Sequence, residues 1–156
     1  MLKEVSSKHA GTSLMQSALH LEMLPQPDGF TCGPTCLHAV YQYFGEDITL
    51  EEVVSETPRL ENGGTLAALL ACQALRRGYR ARIFTYNLQM FDPTWFAKKD
   101  VDIVSKLAAQ SRHKASERLQ KATEAYMEYL AMGGKVSFED LTPGLIRRYL
   151  KRSIPI

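Results

Sequence analysis

Gln26-Pro-Asp-Gly-Phe-Thr-Cys32-Gly-Pro-Thr-Cys36-Leu37 is the stretch on which the reading of this chain turns. Its first half is dense in Pro, Gly and Asp and reads as loop. From Thr35 the pattern becomes helical, with Leu37, Val40, Tyr41 and Phe44 at the spacing of one buried face and Gly45 as the stop. Cys32 therefore stands where loop gives way to helix. A helix N-terminus aims partial positive charge at such a sulfur. Gly33 leaves the sulfur approachable, and Pro34 suits a first turn, where a missing N–H costs nothing. A terminus contributes only ~0.3–1 kcal/mol, at most ~2, which does not by itself make a strong thiolate. A cysteine nucleophile also needs a base and donors for the oxyanion it creates.

Upstream, residues 1–17 lack periodicity and read as a loose leader, and Leu19–Met23 alternates like a short strand. Downstream, Thr49-Leu-Glu-Glu52 fits a capping box opening a second helix. Asn62-Gly-Gly-Thr65 reads as a turn ending on an N-cap, before a helix carrying Leu66, Leu69, Leu70, Ala74 and Leu75 and stopped by Gly78. Tyr79–Tyr86 reads as a strand, and Asp92-Pro93 as the start of a short turn holding Trp95 and Phe96. Residues 100–132 are strongly helical, with an apolar stripe (Val104, Leu107, Ala108, Ala115, Leu119, Ala122, Tyr126, Leu130) broken near Ser111 and ended by Gly133-Gly134. Thr142-Pro143 opens a last helix, and Ile154-Pro-Ile156 reads as the first residues of a strand.

Gln, five residues, then Cys-Gly, opening a helix that begins Pro-Thr-Cys-Leu, resembles the bacteriocin-processing (double-glycine leader) peptidase-like family. These are small cysteine peptidases of the papain clan. The match is specific over residues 24–44 and weaker beyond. The leader-peptide processors carry Asp directly before the cysteine. This chain carries Thr31, and looks more like stand-alone relatives with Cys-Gly-Pro-Thr. The resemblance implies an α+β, papain-like fold with Cys32 as nucleophile and Gln26 as a side-chain oxyanion donor beside the Cys32 backbone N–H. It implies a hydrolase acting on a peptide or amide substrate, with no cofactor. The family's histidine opens a core strand well downstream, and papain relatives place it ~130–150 residues after the cysteine. The chain ends at Ile156, short of that interval.

The histidines present do not substitute. His9 and His20 precede Cys32, reversing the family's order, and His113 falls in Ser111-Arg-His-Lys-Ala115, a solvated helix face. His38 follows Cys32 by six positions, and at ~100° per residue it points ~240° away. The expectation is one peptidase-like domain over 1–156, incomplete at its C-terminus. Residues 100–132 would be a helical insertion, and the sheet would form largely from residues beyond Ile154. A missing sheet would leave apolar helix faces uncovered and promote self-association.

Composition limits the alternatives. An apolar share of 45%, a charged share of 23% and a net charge of +2 are those of a globular protein without a polyanionic partner, so no nucleic acid is expected. No apolar run reaches the ~18 residues of a membrane span. Three cysteines without an export signal suggest reduced thiols and a cytoplasmic protein. Cys36 and Cys72 read as core residues, since buried free cysteines are commonly inert. A zinc site on Cys32, Cys36 and His38 lacks a fourth ligand. Gly63-Gly64 and Gly133-Gly134 read as turns, and the basic run from Arg147 to Arg152 as a solvated face. Two other functions stay open beside the hydrolase: a non-catalytic peptide-binding module on the same scaffold, and a phytochelatin-synthase-like acyl transferase.

Overall fold

The computed structural model describes residues 18–61, 63–98, 100–113 and 116–156. Residues 20–141 form one compact unit, and residues 142–156 belong to another. The expected leader at 1–17 and Ala115 of the helical stripe lie outside the described residues.

In the larger unit, α1 (Cys32–Tyr43) ends at Phe44, with Gly45 at φ +78° just beyond. That left-handed stop is the one the sequence provides, since glycine adopts it without a Cβ clash. Helix α2 (Leu50–Glu56) opens on the full capping box: Glu52 N–H donates to Thr49 Oγ1 at 3.2 Å and Thr49 N–H donates to Glu52 Oε2 at 2.8 Å. Helix α3 (Ala67–Arg76) starts one residue later than expected. Leu66 is its N-cap, and no side chain caps it. Thr65 instead lies between Gly33 and the start of the helix, its hydroxyl buried without a hydrogen-bond partner.

Two parallel strands, β1 (Arg82–Phe84) and β2 (Lys135–Ser137), pair in the register Arg82–Lys135, Ile83–Val136 and Phe84–Ser137. The strand expected over Tyr79–Tyr86 is thus only three residues long, because β2 offers no longer edge. Leu19–Met23 forms no strand: its alternation has no partner edge, and Met23 is exposed. Ile154–Ile156 forms none either.

Between the strands run a 3₁₀ turn (Pro93–Phe96) capped by Asp92, then α4 (Ile103–Ser111) and α5 (Glu117–Ala131). Residues 100–132 therefore fall between the two strands in the chain. α5 buries Ala122, Thr123, Ala125, Tyr126 and Tyr129. They pack with Ala68, Ala71 and Cys72 of α3, with Ile83, Met90 and Phe91, and with Leu107 of α4. The alanines of α3 allow the close approach, and Cys72 Sγ lies 3.8 Å from the Ala125 carbonyl oxygen. Phe91 meets the Tyr126 ring edge-on at 4.9 Å.

Tyr129 locks the sheet to this layer. Its hydroxyl lies 2.8 Å from the Ala81 carbonyl oxygen and 2.9 Å from that of Lys135, and accepts the Lys135 N–H at 2.9 Å. The ring occupies the space a side chain at Gly134 would need: a Cβ there would fall 2.3 Å from it.

A smaller apolar cluster of Tyr41, Ile48, Val53 and Ala74 joins α1, α2 and α3. The buried face of α1 differs from the expected one. Pro34, Thr35, His38, Ala39 and Tyr41 are inside, whereas Phe44 is exposed and Leu37 and Val40 are half-buried. The reason is polar. Tyr41 donates to Gln73 Oε1, Gln73 donates to Glu56, and Arg77 pairs with both Glu56 and Glu46. Tyr79 donates to Glu46 Oε2 at 2.6 Å. This chain of partners draws α1 toward α2 and α3 through Tyr41, while Leu37 packs only half-buried against the same cluster.

In the other unit, α6 (Pro143–Leu150) starts from Thr142, whose hydroxyl accepts the Leu145 N–H at 3.1 Å. Leu145 is buried, while Arg147, Arg148, Lys151 and Arg152 are exposed. The architecture is helix-rich, with six helices and two parallel strands among the described residues, compatible with the α+β class. No described helix is long and apolar enough to cross a membrane.

Candidate active site

The loop before α1 is held by Asp28 and Thr31. Asp28 Oδ1 accepts the Phe30 N–H at 2.8 Å, a local turn that Asp side chains make readily. That N–H, above all, keeps the Asp28 carboxyl below the ordinary carboxylate range, helped by Thr31 and Arg59. Thr31 is fully buried. Its hydroxyl accepts the Asp28 N–H and donates to the Asp28 carbonyl, each at 3.3 Å. Its own carbonyl accepts both the N–H and the hydroxyl of Thr35, at 2.9 and 2.8 Å. The residue directly before the cysteine is thus the anchor of the loop–helix junction. Because its hydroxyl is turned back to Asp28, no side chain caps the N-terminus of α1.

Cys32 is the first residue of α1 and is exposed. Gly33 has a role beyond the one read from sequence. A Cβ at that position would lie 3.0 Å from Leu70 Cδ1 and 3.4 Å from Thr65 Cβ, so the glycine lets the start of α1 seat against α3. Phe30 rests on Gly63: a Cβ there would fall 2.2 Å from its ring. Asp28 also reaches Arg59 at 3.4 Å. Two contacts therefore tie the loop before Cys32 to Arg59 and Gly63.

Gln26 is exposed at the other end of the same loop and makes no hydrogen bond among the described residues. The two residues singled out for catalysis thus flank one short loop, and both face solvent. Cys36 is exposed as well, contrary to the core position expected for it. The inward face of α1 runs through Pro34, Thr35, His38 and Tyr41, and Cys36 falls on the other side with Cys32. Cys72 is buried, as expected, and burial pushes its thiol up.

Neither His38 nor His20 is presented to Cys32. His38 is buried, with Nε2 3.0 Å from the Ile48 carbonyl oxygen. His20 lines a surface depression with Gln42, Tyr43 and Asp47, at the far end of α1. Twelve residues separate those ends by about 18 Å. His113 is exposed two residues past the end of α4, and His9 lies outside the described residues. Among the described residues no three His, Cys, Asp or Glu side chains gather as a metal site.

Asp28, Thr31, Arg59, Thr65 and Leu70 shape the site and were not singled out from sequence. One signal was available: an Asp two residues before Phe30, in Pro-Asp-Gly, is a turn-forming pattern. Thr31 acts locally, through Asp28 and Thr35, whereas Arg59, Thr65 and Leu70 act across the chain and carry no local signature. No family model matches the chain, and no curated protein or solved structure does either.

Proposed function

We propose that this chain carries the nucleophile half of a papain-like cysteine hydrolase acting on peptide or related amide bonds. The observation that carries the reading is the exposed Cys32 at the first position of a twelve-residue helix. It follows an anchored loop that begins at an exposed Gln26. In this mechanism the Cys32 thiolate attacks the carbonyl carbon, and the Gln26 amide and the Cys32 N–H donate to the resulting oxyanion. The tetrahedral species collapses with loss of the amine, which takes a proton from a histidine. Water then releases the acid and regenerates the thiolate. The histidine is proposed to come from outside the described residues, because His38 is buried against Ile48 and His20 lies at the far end of α1. The papain-like arrangement of the fold belongs to the same proposal.

The test is turnover of peptide, amide and thioester substrates by the complete protein. Cys32→Ala abolishes cleavage, and Gln26→Ala lowers kcat by ~10²–10³-fold. Unchanged cleavage in Cys32→Ala overturns the reading. The disposition of the described histidines favours one second reading, a peptide-binding module without turnover. Saturable binding of extended peptides by the complete protein, with no product formed, would decide for it. Acylated amine as the main product in the presence of glutathione would instead indicate an acyl transferase.

A further inference from the structure

We propose that Cys32 and Cys36 form a peroxide-sensitive dithiol, in which Cys36 captures the sulfenic acid formed on Cys32. The two thiols are exposed, and they stand four positions apart on the outward face of α1. Residues at i and i+4 are neighbours on a helix surface, with Cα atoms ~6 Å apart and Cβ atoms ~5–6 Å apart. A disulfide needs Cα atoms within ~4.4–6.8 Å and Cβ atoms within ~3.5–4.5 Å. The Cα spacing already fits, and the Cβ atoms must approach by ~1–2 Å.

That movement falls at the first turn of the helix. As the first residue of α1, Cys32 has an N–H with no place in the intrahelical ladder. Its C-terminal neighbour is Gly33, the residue with the widest backbone freedom. Thr31 stays fixed by its bonds to Asp28 and Thr35, so the adjustment is confined to the Cys32–Gly33 segment. Cys72, buried beneath α5, is the internal control.

The chemistry balances with hydrogen peroxide as the oxidant. The Cys32 thiolate attacks one peroxide oxygen, the O–O bond breaks, and protonated hydroxide leaves as water, giving Cys32–SOH. The Cys36 thiolate then attacks the Cys32 sulfur, the S–O bond breaks, and a second water leaves. Two thiols are oxidised by two electrons, and one peroxide is reduced to two waters. The pairing protects Cys32 from irreversible conversion to the sulfinic acid. It stands whether or not Cys32 is a hydrolytic nucleophile, because it concerns only the two thiols.

The experiment treats the folded chain with hydrogen peroxide, alkylates the remaining thiols and identifies each cysteine's state by peptide mass spectrometry. The expected result is one intrachain Cys32–Cys36 disulfide, reversed by dithiothreitol, with Cys72 still a thiol. In Cys36→Ser, dimedone labels Cys32, and without dimedone Cys32 proceeds to the sulfinic acid. The proposal is overturned if native Cys32 reaches the sulfinic acid as fast as it does in Cys36→Ser. It is also overturned if the disulfide joins two chains, or if neither thiol is oxidised. None of these readouts uses substrate turnover, so failure here leaves the hydrolase reading untouched, and the reverse also holds.

Discussion

Removing one oxygen atom from Tyr129 should loosen the sheet without opening a cavity. The side chain is fully buried, and its ring fills the space beside Gly134. Tyr129→Phe keeps that ring and removes only the hydroxyl. The hydroxyl has one hydrogen, so it donates to either the Ala81 or the Lys135 carbonyl while accepting the Lys135 N–H. The substitution therefore leaves the Lys135 N–H without this acceptor and one carbonyl short of a donor. An unsatisfied buried group costs ~1–3 kcal/mol. Two partly buried ones at the edge of a short sheet should cost about 2–3 kcal/mol together. For a chain of this size that lowers Tm by about 5–10 °C.

Urea denaturation followed by Trp95 fluorescence measures the loss, since Trp95 packs against the core that contains Tyr129. Amide exchange at Lys135 reports the lost bond directly. Tyr129→Leu serves as comparator, because it adds a cavity and should cost roughly 3–5 kcal/mol. A loss below ~0.5 kcal/mol for Tyr129→Phe, with unchanged protection at Lys135, would refute the assignment of the hydroxyl as the bridge between β1 and β2.

Three further outcomes are expected. Gly63→Ala should lower stability by ~1–3 kcal/mol and shift the aromatic resonances of Phe30, because φ is +83° there and the new methyl meets that ring. An unchanged Phe30 environment in the variant would show that the loop before Cys32 is not propped on Gly63. Burial first, and the hydrogen bond to Glu46 next, push Tyr79 from 10.0 up to about 12. A raised folded value means its contribution is complete below pH ~10 and is lost as pH rises through about 12, so Tyr79→Phe should flatten alkaline unfolding in that window. With Ellman's reagent the folded chain should show two fast thiols, Cys32 and Cys36, and a third, Cys72, only on unfolding. Three fast thiols would place Cys72 outside the core.

Elements set by neighbouring residues were legible from sequence. Gly45, Gly78 and Gly133 end α1, α3 and α5 at positive φ, as their positions after apolar periodic runs implied. The Thr49–Glu52 capping box, the Asp92 and Thr142 caps and the break near Ser111 likewise lie where the residues indicated. So does the placement of Cys32 at a helix start, because Pro-Asp-Gly before it and Pro-Thr after it act over a few residues.

What depends on distant partners was not legible. Strand lengths and the fate of Leu19–Met23 follow from which edges are available, and alternation alone says nothing of edges. The inward face of α1 was set by Gln73, Arg77 and Glu46, residues roughly 30 positions away or next to the helix end, whose polar pairing outweighed the aliphatic stripe. That rotation put Cys36 in solvent beside Cys32 instead of in the core. Sequence by itself determined that a cysteine opens a helix after a Pro-Asp-Gly loop. Only the tertiary structure decided which side of that helix meets water, because helix phase is chosen by the surface it packs against and not by the helix itself.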